Sequence, residues 1–187
     1  MAMIKSFLSV LCLTTIAGCG QPLGEYQIEA VRVVTEAPLP EGVRATPFGR
    51  YLKVKLSSET SLTAISTEID GVYAHADFCP FTDRHVLTTF GPFGSDDEDL
   101  GVPSVANPMK KGSDGKFHYT VFIVPEHPMA NVEYSQTALN RDSYNLGVAD
   151  RDVCLRLDAP GYNLIPSKSD VIRIPRQTIK AALSSAS

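Results

Sequence analysis

Histidines, cysteines and one run of carboxylates carry the chemistry open to this 187-residue chain. Acyl transfer needs a nucleophile, a base and oxyanion donors, and the Gly-x-Ser-x-Gly elbow that would signal them is absent. His75, His85, His118 and His127 are scattered through the chain without the paired spacing of a zinc motif, and the cysteines do not cluster with one another. His75 and His118 fall on the polar phase of their expected strands, where a solvated or hydrogen-bonded imidazole is the ordinary outcome. The expectation is therefore a protein that is not an enzyme, with no cofactor and no metal site among its histidines and cysteines.

The run Ser95-Asp96-Asp97-Glu98-Asp99 is the most unusual local composition. The alternating oxygen ligands and mid-loop glycine of an EF-hand are missing. Three readings stay open: a solvated acidic loop, a contact surface for a basic partner, or a metal site. Adjacent like charges repel, so a partner of complementary potential would gain association rate and specificity there. With Phe90, Phe93 and Leu100 beside it, an apolar anchor rimmed by charge is one arrangement, and packing feet for the loop are the other. The candidate partner-binding residues are Asp96, Asp97, Glu98, Asp99 and Phe93. Gly91-Pro92-Phe93-Gly94 precedes acids that would repel a phosphate, so it carries no nucleotide signal.

The N-terminus supplies a compartment. Lys5 precedes the apolar run Phe7, Leu8, Val10, Leu11, Cys12 and Leu13, which is too short for a permanent span of roughly 20 apolar residues. Ile16-Ala17-Gly18-Cys19 follows. This pattern resembles the cleavage and lipidation signal of bacterial lipoproteins. The resemblance implies a signal peptide over 1–18, a lipid on the Cys19 thiol and a tether over 19–24. It also implies a lipid-anchored protein facing the periplasm; Gly20, where aspartate marks inner-membrane retention, favours the outer membrane. An ordinary secretory peptide with an incidental Cys19 is the alternative. Of the four cysteines, Cys12 then leaves with the leader and Cys19 is committed to lipid. Cys79 and Cys154 remain, either paired as a disulfide in an oxidising compartment or buried as two separate thiols.

These residues must be positioned by elements that the pattern makes mainly β. Thirteen prolines, thirteen glycines and no tryptophan suit a turn-rich β domain, here over 25–187. The net charge of −4 argues against nucleic acid as a partner. Strands are expected over 26–33 and over 51–56, where Leu52, Val54 and Leu56 face inward. The lysines there, Lys53 and Lys55, would guard an edge if the strand is outermost. A weak strand is expected over 57–67, with Leu62, Ala64 and Ile69 as its inward candidates. Over 71–79, Val72, Ala74, Ala76 and Phe78 share one face, and another strand follows over 84–90 before the breakers Gly91, Pro92 and Gly94.

A long loop covers 95–113, and Asp114-Gly115 turns into the most apolar strand, 117–124, central because both of its faces are apolar. A turn of helix is expected within 135–145. Strands at 153–157 and 170–174 and a helix over 176–183 opened by Pro175 complete the chain. The sum is a single β-sandwich, immunoglobulin-like or transthyretin-like, with a short C-terminal helix.

The C-terminal pattern Asp152-Val153-Cys154-Leu155-Arg156, then Ser169-Asp170-Val171-Ile172-Arg173-Ile174-Pro175 and the Ile179, Ala182, Leu183 helix, resembles periplasmic lipoproteins described as type VI secretion immunity proteins. That resemblance implies a module that binds and neutralises a periplasmic toxin such as a phospholipase or a wall hydrolase. A structural or assembly lipoprotein of the envelope or of a secretion apparatus is the alternative.

Overall fold

The computed structural model describes residues 22–39, 49–63, 71–94, 109–127, 143–160 and 167–185. The leader with Cys19, the acids Asp96, Asp97, Glu98 and Asp99, Ala64, Ile69 and most of the segment expected to hold a turn of helix lie outside them.

The described chain is mainly β, with antiparallel sheets and one helix. Its strands are β1 (Gln27–Val34), β2 (Tyr51–Ser58), β3 (Tyr73–Phe78), β4 (Thr89–Phe93), β5 (Phe117–Ile123), β6 (Glu126–His127), β7 (Tyr144–Asn145), β8 (Val153–Ala159), β9 (Ser167–Lys168) and β10 (Ile172–Ile174), and the helix is α1 (Arg176–Ser184). One sheet runs in the order β1-β2-β5-β4, and another in the order β10-β8-β3 with β9 also paired to β8. The short strands β6 and β7 pair with each other.

Alternation along the strands supplies one shared core. Leu52, Val54 and Leu56 of β2 and Tyr119, Val121 and Ile123 of β5 meet Ala74 and Ala76 of β3 and Leu155 and Leu157 of β8. Ile179, Ala182 and Leu183 close it from one face of α1. Such burial is the main favourable term for a chain of this kind, at about 25 cal/mol for each Å² of apolar surface removed from water.

As its two apolar faces require, β5 lies between β2 and β4. Its opposite face carries Phe122, which with Tyr51, Phe93 and Val124 forms a second, aromatic core. Within it the Phe93 and Phe122 rings meet edge-on with centroids 5.6 Å apart. β2 is not an edge strand, because β1 pairs along it. Lys53 therefore guards no edge; its ammonium sits 5.3 Å from the centre of the Phe122 ring.

Two local expectations change. No strand follows Ser58 directly among the described residues; Leu62 is nonetheless fully buried, and its N–H donates to the Tyr119 hydroxyl at 3.0 Å. Gly91 and Pro92 do not end the strand expected over 84–90 but lie inside β4, which begins only at Thr89. Two features reconcile them with pairing. β4 ends its sheet, where a missing N–H costs no ladder bond, and its register with β5 shifts between Phe90 and Phe93. Gly91 has φ +99°, and a Cβ there would lie 2.9 Å from the Thr120 carbonyl.

Pro175 stands at the N-cap of α1 in extended conformation and has no side-chain acceptor to offer. The acceptor comes from elsewhere: Asp152, just before β8, takes the Arg176 N–H at 2.8 Å. Among the described residues no helix is long and apolar enough to cross a membrane.

Candidate functional site

The β3–β8 ribbon has a core face and a polar face. Its register sets Tyr73 opposite Asp158, His75 opposite Arg156 and Asp77 opposite Cys154. Because side chains alternate, these residues point away from Ala74, Ala76, Leu155 and Leu157. The turn over 80–86 folds onto this polar face, and Asp77 fastens it. Its Oδ2 accepts the Thr82 N–H at 3.0 Å, the Thr82 hydroxyl at 3.2 Å and the Arg84 N–H at 3.2 Å, while Oδ1 accepts the Val86 N–H at 2.8 Å. Burial pushes the Asp77 carboxyl towards neutrality, but these donors together outweigh it and hold the group below the usual carboxylate range.

The fastened turn delivers two side chains from left-handed backbone, Asp83 at φ 57° and His85 at φ 52°. The His85 ring stacks on that of His75 with centroids 3.8 Å apart and planes 16° from parallel. Asp83 pairs with Arg156, and Lys168 lies 3.8 Å from the same carboxylate. Arg156 also grips Asp158 with two hydrogen bonds of 2.7 and 2.8 Å, and its guanidinium covers the Phe81 ring at 4.3 Å. The Asp158 hydrogen bonds, reinforced by Asp83, raise the Arg156 proton affinity despite its burial.

The His75 pKa is lowered: burial, then His85 beside it, outweigh the nearby carboxylates that would raise it. His85 Nε2 is buried and has no hydrogen-bond partner. Ligand atoms of His75, His85 and Asp158 all lie within 4.8 Å of one another. These are three potential ligand atoms for a cation.

A second cluster joins Glu29 of β1, His118 of β5 and Asp114 of the turn that leads into β5. Here both ring nitrogens are occupied, Nδ1 3.0 Å from Glu29 and Nε2 3.0 Å from Asp114. The Asp114 hydrogen bond, with help from Glu29, raises the His118 pKa over the opposing effect of burial. A Cβ at Gly112 would lie 2.6 Å from His118 Nε2, so a side chain there would displace the ring.

Cys79 and Cys154 form a disulfide, with Cα atoms 5.1 Å apart. The bridge lies next to the fastened turn, between the end of β3 and β8, and Arg151 donates to the Cys79 carbonyl at 3.0 Å. Of the candidate partner residues, Phe93 is buried at 1% exposure in the aromatic core; the four acids lie outside the described residues. The His75–His85 pairing and the role of Asp77 escape the sequence patterns, because the two histidines meet only when the turn folds back over the sheet. The one usable signal is Asp77 on the polar phase of its strand, ahead of Pro80 and a polar turn, where a carboxylate commonly gathers turn N–H groups. No protein-family model, curated protein or solved structure matches the chain.

Proposed function

We propose that this protein is a lipid-anchored, outer-membrane β-sandwich of the bacterial envelope, facing the periplasm and binding another protein, as an immunity protein that neutralises a type VI secretion toxin. The observation that carries the reading is the Cys79–Cys154 disulfide. A bridge of this kind belongs to oxidising compartments, the location that Lys5, the apolar run and Ala17-Gly18-Cys19 imply. The finer fold, immunoglobulin-like or transthyretin-like, is supported by a core drawn from both sheets.

The immunity reading rests on the resemblance over 152–183. Those residues build β8, β10 and α1, and Cys154, Ile172, Ile174 and Ile179 among them are buried. They make a scaffold, leaving recognition to segments that the scaffold presents. The acids Asp96, Asp97, Glu98 and Asp99, which follow β4 in the sequence, are the residues proposed for that role, and Phe93 anchors the strand before them. A basic toxin surface is the partner they would steer.

The test is protection. Cells exposed to a periplasm-directed phospholipase or wall-hydrolase effector should survive when this protein is present, and the two proteins should co-purify. Equal killing without a complex overturns the immunity reading. Co-purification with secretion-apparatus components instead would establish the assembly role. Neutralising the four acids should slow association with the toxin and flatten its dependence on salt.

A further inference from the structure

We propose that His75, His85 and Asp158 form a binding site for a divalent transition-metal ion of the zinc class, where the turn over 80–86 closes on the β3–β8 ribbon. Two imidazoles and a carboxylate are the ligand types that zinc takes with a fourth position left to solvent. Their ligand atoms already lie within 4.8 Å of one another, so side-chain rotation rather than backbone movement is what an ion requires. His85 Nε2 is the free lone pair or N–H in the group, buried and without a partner. A buried polar atom in that state needs an explanation, and a ligand is one.

The surroundings are built to hold these three groups. The Asp77 hydrogen bonds fix the turn that carries His85 in left-handed backbone, a conformation that persists only where neighbours enforce it. Arg156 orients the Asp158 carboxylate, as partners behind a ligand do in metal sites, and each carboxylate oxygen keeps a second lone pair for a cation. Of the nearby cations, Arg156 pairs with Asp83 and Asp158, and Lys168 lies beside Asp83. Parallel rings do not aim their in-plane lone pairs at one point; uptake must therefore unstack the pair, and the His85 ring, whose Nε2 has no partner to give up, is the one to turn. The Glu29, Asp114 and His118 cluster differs, because both nitrogens of its single imidazole are already engaged.

Titration of the purified, disulfide-bonded full chain with Zn²⁺ tests the site. Binding of one ion per chain is expected, with the ring resonances of His75 and His85 shifting together while those of His118 and His127 stay in place. His85→Phe keeps a ring for stacking and removes the nitrogens, and should weaken Zn²⁺ binding at least about tenfold. Mg²⁺, which prefers oxygen ligands, should leave the spectrum unchanged. The ring resonances of the unaltered chain decide the matter even if the variant folds poorly. Unmoved His75 and His85 resonances at stoichiometric Zn²⁺, a His118 resonance that shifts at lower Zn²⁺ than theirs, or undiminished binding by His85→Phe would each overturn the proposal.

Discussion

Asp77 is 1% exposed and charged, and it remains so because the donors of Thr82, Arg84 and Val86 replace its water. Replacing it with alanine strands those donors under the turn, and an unpaired buried polar group costs about 1–3 kcal/mol. Asp77→Ala should therefore lower the unfolding free energy by about 3 kcal/mol in urea titration, allowing for partial rehydration. Asp77→Asn, which keeps one acceptor oxygen, should lose less. His118 leads to a prediction of opposite electrostatic sense. Its folded pKa is raised by Asp114 and Glu29, so its contribution is complete below the unfolded value of about 6.5 and is lost as pH rises through the folded value. Stability measured from pH ~6 to ~8 should fall for this reason, and His118→Gln should remove that part of the slope. At this scale side-chain phase is legible in the sequence and partners are not. His118 and His75 are both on polar faces as alternation requires, yet one is clasped by two carboxylates and the other lies under a turn.

At the scale of elements, strand faces are legible and strand neighbours are not. The period of two places Leu52, Val54 and Leu56 inward and makes 117–124 central, since a strand apolar on both faces must be covered on both. It does not say whether β2 is an edge, because the lysines that protect an edge also serve on a strand whose outer face is half wet. Gly91 and Pro92 read as breakers because the bulge that accommodates them exists only against β5. The start of α1 follows from Pro175, while its cap does not, because Asp152 precedes it by more than twenty residues. Asp152→Ala should accordingly fray α1 from its first turn, seen as severalfold faster amide exchange at 176–179 with β3 and β8 unchanged. Arg173 also contacts Asp152, but its side chain is 71% exposed, so Arg173→Ala should have little effect. Equal fraying in the two variants would show that the ion pair, not the cap, secures the helix.

Across the whole molecule, the disulfide joins residues 75 positions apart, and the loop it closes contains β4, β5, β6 and β7. Cys79 and Cys154 nevertheless lie at adjacent strands of one sheet, so the bridge does not fasten the two sheets together directly. Its main effect falls on the unfolded chain, which cannot extend through its middle while the bridge is intact. For a loop of that length the chain-entropy model gives roughly 4 to 5 kcal/mol, a large share of the roughly 5–15 kcal/mol typical of a folded domain. Cys79→Ala/Cys154→Ala should therefore unfold at a much lower urea concentration. Its dependence on denaturant should also be steeper, because the unlinked chain exposes more surface when it unfolds. If the midpoint falls while the slope stays the same, the loss comes from native packing around the bridge, including the neighbouring Asp77 turn, rather than from the freed chain. If neither changes, the bridge has no part in keeping the domain folded, and an oxidising compartment is then no requirement of the fold, which removes the structural support for an envelope location.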